Sequence, residues 1–254
     1  PLQSTVFVAV RTLLISGASR GIGRAIAERA LADGHRLSLG VRDQAALAGT
    51  ALDPAIAGSD RVLLVPYNAE DSAAAQAWVE LSCEHFGGFD SVIHSAGVFS
   101  RVGLLFEPGE EREIASTMEV NLMGPWWLTR AAWPQLAAHG EGRIQVLVSM
   151  SGKRSKGKLA SYSASKFALL GLCQTMRNEG WDAGIRVTAI CPGWVNTDMA
   201  AAVRRGPTSR WPTQAMAAEE MTQPEDIASL CAELLTLPNR AVPFELALNC
   251  SLER

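Results

Sequence analysis

Hydrophobic positions in this chain fall into short, nearly continuous apolar runs separated by longer stretches of helical periodicity. The runs "TLLIS" (12–16), "RLSLGV" (36–41), "RVLLVP" (61–66), "SVIHSAG" (91–97), "RIQVLVS" (143–149) and "IRVTAICPG" (185–193) predict strands, and a last one is expected at 242–249. They do not alternate polar with apolar, which is the pattern of strands covered on both faces. Helical periodicity fills the intervals, as in "GRAIAERALADG" after the first strand, 71–86 and 124–139. The order βαβαβ predicts a Rossmann-type α/β fold, a doubly wound parallel sheet with helices on both faces and right-handed crossovers. No repeat or linker divides the chain, so one domain over 1–254 is expected. The stretch 199–221 fits no regular element, and a segment of that length in a compact domain reads as a lid over a site.

The first strand runs into "SGASRGIG", which opens a helix. Gly17, Gly21 and Gly23 sit where a tight turn lets a phosphate approach backbone N–H groups at a helix N-terminus. The spacing is GxxxGxG and not the commoner GxGxxG. In such folds the end of the second strand reads the adenosine ribose: an acid bonds a 2′-hydroxyl, a base accepts a 2′-phosphate. Here Arg42 stands at that position and Arg20 lies in the glycine loop, so NADP(H) is favoured over NAD(H). Asp43 is the competing ribose ligand, but as first residue of "DQAALAG" it reads as a helix cap.

In "SYSASKFALLG", Tyr162 and Lys166 stand at i and i+4 and share a helical face. An ammonium near a phenol favours the phenolate and lowers a reference pKa of about 10. The pair therefore predicts a general acid–base tuned toward neutral pH.

With these residues in hand, the chain resembles the short-chain dehydrogenase/reductase family over nearly its whole length. The resemblance is carried by "SGASRGIG", "HSAG" after the fourth strand, Asn121 in "MEVNLMG", Ser149 in "VLVSMSG", "YSASK" and "CPGWVNTDM". It implies that Tyr162 gives the proton to the substrate carbonyl and that Ser149 holds the carbonyl or alcohol oxygen. Lys166 would bind the nicotinamide ribose and depress the Tyr162 pKa, and Asn121 would position a water extending the relay. It implies further cofactor contacts from Ser19 and Ile22 in the glycine loop, from Asn68 and Ala69 near the adenine, and from Ser95, Ala96 and Gly97. Pro192, Gly193, Val195 and Thr197 would seat the nicotinamide. Ser151 is the competing serine, but the family spacing and Gly152 select Ser149.

The chain departs from the family in three places. His94-Ser95 replaces the usual Asn-Asn, and His94 reads as a satisfied buried imidazole rather than a base. Asn68 replaces an adenine-contacting Asp. The C-terminal segment lacks the usual Gly-Gly, while its last strand should still form.

Composition narrows the classes. Of 254 residues 48% are hydrophobic, and the formal net charge of −3 argues against duplex nucleic acid as a partner. Five dispersed cysteines, with no CxxC and no His at ligand spacing, read as reduced cytoplasmic thiols and not as a disulfide frame or a metal site. The most apolar stretch, "TVFVAVRTLLIS", is broken by Arg11, so neither a membrane span nor a signal peptide is expected, and the leading Pro1 reads as a trimmed start.

The substrate is expected to be a small carbonyl or alcohol compound bordered by Trp194 and the lid. The basic residues Lys153, Arg154, Lys156, Lys158, Arg204, Arg205 and Arg210 offer a funnel for an anionic one, against a plainer reading as solvated loops. Trp211 is a further apolar candidate, while Trp126, Trp127 and Trp133 read as core or subunit packing. A homotetramer or homodimer is expected. Two alternatives stand beside the NADP(H) oxidoreductase: an NAD-dependent alcohol dehydrogenase of the same family, and a non-catalytic dinucleotide sensor.

Overall fold

The computed structural model describes residues 9–155, 157–205 and 217–250. Seven strands, β1 (Thr12–Ser16), β2 (Arg36–Val41), β3 (Val62–Pro66), β4 (Ser91–His94), β5 (Arg143–Leu147), β6 (Arg186–Pro192) and β7 (Glu245–Leu248), form one sheet in the order 3-2-1-4-5-6-7. All six pairings are parallel. The helices are α1 (Gly21–Ala32), the short α2 (Pro54–Ala57), α3 (Ser72–Phe86), α4 (Glu111–Met118), α5 (Gly124–His139), α6 (Ala160–Gly180), α7 (Asp198–Arg205) and α8 (Pro224–Thr236).

Two apolar clusters cover the two faces of the sheet. Leu13, Ile15 and Leu39 pack with residues of α1 and α8 on one side. Leu14, Val92 and Val146 pack with α3, α5 and α6 on the other. On the second face Gly40 makes room for Trp78, since a Cβ there would lie 2.6 Å from the indole. The indole is held by donating from Nε1 to Ser38 Oγ at 2.8 Å.

Strand order reverses between β1 and β4, the place where such sheets open a crevice beyond the strand C-termini. The observed strands stop earlier than the apolar runs: β4 ends at His94, β5 at Leu147, and β7 covers only Glu245–Leu248. Polypeptide that leaves the sheet before the run ends is what lines the crevice.

Two further features differ from expectation. The stretch 199–221 is not devoid of regular structure, because α7 runs through Arg205 and a 3₁₀ turn occupies Ala218–Glu220. "DMAAAVRR" has the acid at its N-terminus, the bases at its C-terminus and three alanines between, all of which favour helix. The rest of the expected lid, including Arg210 and Trp211, lies outside the described residues, as do the side chains of Arg204 and Arg205. Arg11, read as an interruption, is buried at the opposite end of the sheet, where it pairs with Asp90 at 2.8 Å.

Candidate active site

A cleft of about 550 Å3 runs along the C-terminal edge of the sheet. One end is built around the glycine loop. Gly17 (φ 74°) presses on the segment after β4, and a Cβ there would sit 2.6 Å from the Ala96 nitrogen. Ser16 Oγ accepts from the Ser95 and Ala96 N–H groups, each at 3.2 Å, so the two loops at the switch point are tied together. A Cβ on Gly23 would lie 2.3 Å from the Gly17 carbonyl oxygen. Arg20, the N-cap of α1, makes no side-chain capping bond, and the first turn carries no acid. The first-turn N–H groups of α1 thus remain available to an anion. An open lip, an uncapped helix start and a cleft of this volume fit a bound dinucleotide.

Arg20 and Arg42 are exposed side chains on the cleft wall. Asp43 also borders it, but its carboxylate accepts from Ala45 N–H at 3.0 Å and caps the following 3₁₀ turn, as its position in the sequence predicts. Asn68 Oδ1 accepts from Glu70 N–H at 3.3 Å, a local turn bond.

The other end is built from buried side chains. Tyr162 and Lys166, one turn apart on α6, are 9% and 5% exposed. Ser149 follows β5 and its hydroxyl hydrogen-bonds the Tyr162 phenol. Ser149 Oγ also accepts from Ser151 N–H at 3.0 Å and caps the 3₁₀ turn Met150–Gly152. Ser151 therefore supports Ser149 through its backbone. The Ser149 backbone itself has φ 145° and ψ 155°, a region that L-residues occupy only under constraint. Phe99 packs on Tyr162 with ring centroids 4.9 Å apart.

The electrostatics correct one expectation. Burial pushes the Tyr162 phenol above its ordinary value, and the Ser149 hydrogen bond works the other way. Lys166 does not reverse this: its ammonium lies 5.8 Å from the Tyr162 ring centroid and donates to the Leu147 carbonyl at 3.0 Å. Burial pulls the Lys166 ammonium itself down to about 8. The surrounding protein alone thus favours the neutral phenol, because desolvating the phenolate outweighs the charge neighbouring it.

Asn121 lies in a π-helical turn, Glu119–Met123, between α4 and α5. Its amide donates to the Val98 carbonyl (2.9 Å) and to Ser165 Oγ (3.0 Å), and its Oδ1 accepts from Val98 N–H (2.9 Å). The side chain is fully buried behind the cleft wall and braces it. A Cβ on Gly97 would lie 3.3 Å from Asn121 Oδ1 and 3.8 Å from Lys166 Nζ, so the two side chains flank this glycine. His94 is buried, with Nε2 2.9 Å from Thr129 Oγ1, and burial drops its pKa to about 3. A satisfied imidazole is what the sequence predicts there.

Every other residue proposed for the cofactor from sequence borders the cleft, from Ser19 and Ile22 through Ala69, Ser95 and Gly97 to Pro192, Gly193, Val195 and Thr197. Trp194 does too, while Thr197 Oγ1 additionally accepts from Ala200 N–H at the start of α7. The sequence did not single out Phe99 and Met150, which border the cleft, whereas Leu159 and Met199, which also border it, belong to the segments expected at the pocket, the stretch after Ser149 and the lid. Only the placement of Phe99, just past "HSAG", carried any hint. Trp127 and Trp133 pack on the core and Trp126 is exposed. Among the described residues no cluster of His, Cys, Asp and Glu forms a metal site, and no helix is long and apolar enough to cross a membrane.

Known proteins share this fold. Residues 11–208 match the short chain dehydrogenase family. An agropine synthesis reductase of Rhizobium rhizogenes is 38% identical over 229 residues, which is 90% of this chain and 50% of that protein, so the chain spans about half the length of that relative. Oxidoreductase UcpA of Salmonella typhimurium is 30% identical over 93% of this chain and 84% of its own length. Among solved structures, an alcohol dehydrogenase of the archaeon Thermococcus sibiricus complexed with 5-hydroxy-NADP aligns with a TM-score of 0.81 at 28% identity, covering 97% of this chain and 99% of that one. A variant of actinorhodin polyketide ketoreductase with NADPH aligns with a TM-score of 0.82 at 27% identity, over 96% and 97% of the two chains.

Proposed function

Because this chain belongs to the short-chain dehydrogenase family, and is by that membership an NAD(P)-dependent oxidoreductase, we propose that it reduces a small carbonyl compound with NADPH. The observation that carries this reading is the meeting of Ser149, Tyr162 and Lys166 on one wall of the cleft that the glycine loop opens. NADP(H) would be held by the glycine loop and the α1 N-terminus, with Arg20 and Arg42 receiving the 2′-phosphate. When bound, the nicotinamide supplies or accepts the hydride.

The remaining work falls to the protein. Ser149 holds the substrate oxygen by a hydrogen bond, and its constrained backbone fixes the direction of that bond. Tyr162, kept neutral by its buried setting, donates its proton to the same oxygen as negative charge develops there. Lys166, fixed by the Leu147 carbonyl, stabilises the phenolate that results and contacts the nicotinamide ribose. Asn121 holds the 97–98 segment beside Lys166. Phe99 and Trp194 exclude bulk water from the reacting carbon.

The name of the agropine synthesis reductase supports the reductive direction. Exposed Trp126 on α5 and Phe167 on α6 support assembly into a homodimer or homotetramer. We read the chain as one catalytic domain acting in the cytoplasm, with Met199 and Ala200 of α7 bordering the substrate.

The test is oxidation of NADPH and NADH with a panel of aldehydes and ketones, beside a fluorescence titration of both cofactors. Tight NADPH binding and NADPH consumption with at least one carbonyl compound are expected. A protein that binds neither cofactor ends this reading, and one that prefers NADH turns it toward alcohol oxidation.

A further inference from the structure

The cations that follow Ser149 do not share one surface of the cleft: Lys153 pairs with Glu245 on β7, Lys158 does not border the cleft, and Lys156 lies outside the described residues. The two ends of the cleft meet instead behind its wall, at Gly124. This glycine is buried at the start of α5, and its N–H closes the π-helical turn of Asn121 by donating to the Glu119 carbonyl. Its other side lies against the segment after β3, where a Cβ would sit 2.8 Å from Ala69 Cβ and 2.9 Å from the Ala69 carbonyl oxygen. Tyr67 Oη donates to the Gly124 carbonyl at 3.4 Å, and its ring packs on Trp78 with centroids 4.7 Å apart. Upstream of the turn, Ser116 Oγ on α4 donates to Glu70 Oε1 at 2.7 Å. The segment 67–70 is therefore tied to the α4–α5 chain on both sides of Asn121.

We propose that Gly124 is a positioning residue that couples the adenosine end of the cleft to the proton donor: a nucleotide held at Asn68 and Ala69 also steadies the turn that carries Asn121. This rests on the dinucleotide reading above. Tyr67, Asn68 and Ala69 border the cleft, and the Tyr67 N–H donates to the Val41 carbonyl, beside Arg42, at 3.0 Å. From the turn, Asn121 Nδ2 donates to Ser165 Oγ at 3.0 Å, and Ser165 Oγ donates to the Tyr162 carbonyl at 2.7 Å. Close-packed contacts of this kind pass a displacement on rather than absorb it. Any side chain at position 124 would force the Ala69 main chain and the turn apart. A substitution within either end of the cleft acts there, whereas one at Gly124 reaches both.

The experiment follows amide hydrogen exchange at Val98, whose N–H donates to Asn121 Oδ1, and at Gly124, with and without saturating adenosine 2′,5′-bisphosphate or ADP. Both probes lack the nicotinamide half. Slower exchange at both amides is expected in the wild type. Gly124→Ala should bind the probes roughly 10-fold more weakly and, at saturation, leave both amides unprotected. That loss assigns the protection to Gly124 and not to direct contact with the probe. Ala69→Gly in the same background removes the nearest clashing atom and restores part of both effects. Gly171→Ala on α6, where a Cβ meets nothing within 4 Å, leaves binding and protection unchanged. Should Gly124→Ala not fold, Tyr67→Phe takes its place: it keeps the ring, loses the bond to Gly124 and should reduce the protection. A probe that binds the wild type without slowing either amide, or wild-type affinity and protection in Gly124→Ala, overturns the proposal while leaving the reductase reading intact. Protection that depends on Gly124, in a protein that turns over no carbonyl compound, supports the coupling and overturns the reductase reading. Binding of neither probe and neither dinucleotide ends both.

Discussion

At its glycine-loop end the cleft is shaped by backbone, whereas at its tyrosine end it is shaped by buried side chains. Gly17 and Gly23 act through what they lack, since a Cβ on either would enter a neighbouring main chain. The arginines beside them, Arg20 and Arg42, reach in from solvent. At the other end Tyr162, Lys166 and Asn121 are almost wholly buried, and each is committed to named partners. The first end can bind a ligand as soon as the loop is formed. The second can act only if several elements, β5, α6 and the turn before α5, pack together. Binding and chemistry should therefore be separable by mutation.

The largest separation is expected from Tyr162→Phe. Removing the hydroxyl should lower turnover by about 10²- to 10⁴-fold while the dinucleotide dissociation constant stays where it was. Single-turnover kinetics beside a fluorescence titration measure both, and undiminished turnover would remove Tyr162 from the mechanism.

Gly23→Ala attacks the opposite end. Its Cβ meets the Gly17 carbonyl oxygen at 2.3 Å, so the loop must shift. We expect a stability loss of about 1–3 kcal/mol together with weakened dinucleotide binding. A thermal melt and a titration that both match the wild type would show that the loop is not as tight as described.

Smaller and more selective is the effect of Arg20→Ala and Arg42→Ala. NADPH should bind roughly 10- to 100-fold more weakly and NADH nearly as before. Equal losses for the two cofactors would count against a 2′-phosphate at these guanidiniums.

The last effect is read along the pH axis and concerns His94, buried at the end of β4. Burial lowers the His94 pKa from 6.5 to about 3. Between those values the unfolded chain binds a proton that the folded chain does not, so stability rises with pH and is lost as pH falls. The slope is at most about 1.4 kcal/mol per pH unit. His94→Asn should flatten that part of the pH–stability curve, and an unaltered curve would remove His94 as its source.

The contrast between the two ends also explains what the sequence could convey. The strands were legible because burial on both faces leaves an unbroken apolar run, and the glycine loop because its spacing is local. His94 was legible as a buried group because it stands at the end of such a run. The starting point of α7 was not, since Gly206, Pro207 and Pro212 further along gave the whole stretch the look of a loop. The direction of the Tyr162 pKa was also out of reach. Tyr162 and Lys166 are neighbours along α6, but desolvation and the Leu147 carbonyl come from elements distant in the chain. Phe99 and Met150 follow no periodicity of their own, so only folding reveals them on the cleft wall.

Gly152 has a consequence for how such a protein can diverge. Its contact with the Lys166 carbonyl acts as a rivet between the turn after β5 and α6. Upstream of the rivet, a change in length would drag Ser149 out of register with Tyr162. Downstream, Lys153 and Arg154 lie beyond the rivet and before α6 begins, so side chains there can be exchanged with less effect on the proton donor. A lineage could exchange one substrate for another there by a handful of substitutions, keeping an inherited reaction behind a changing front.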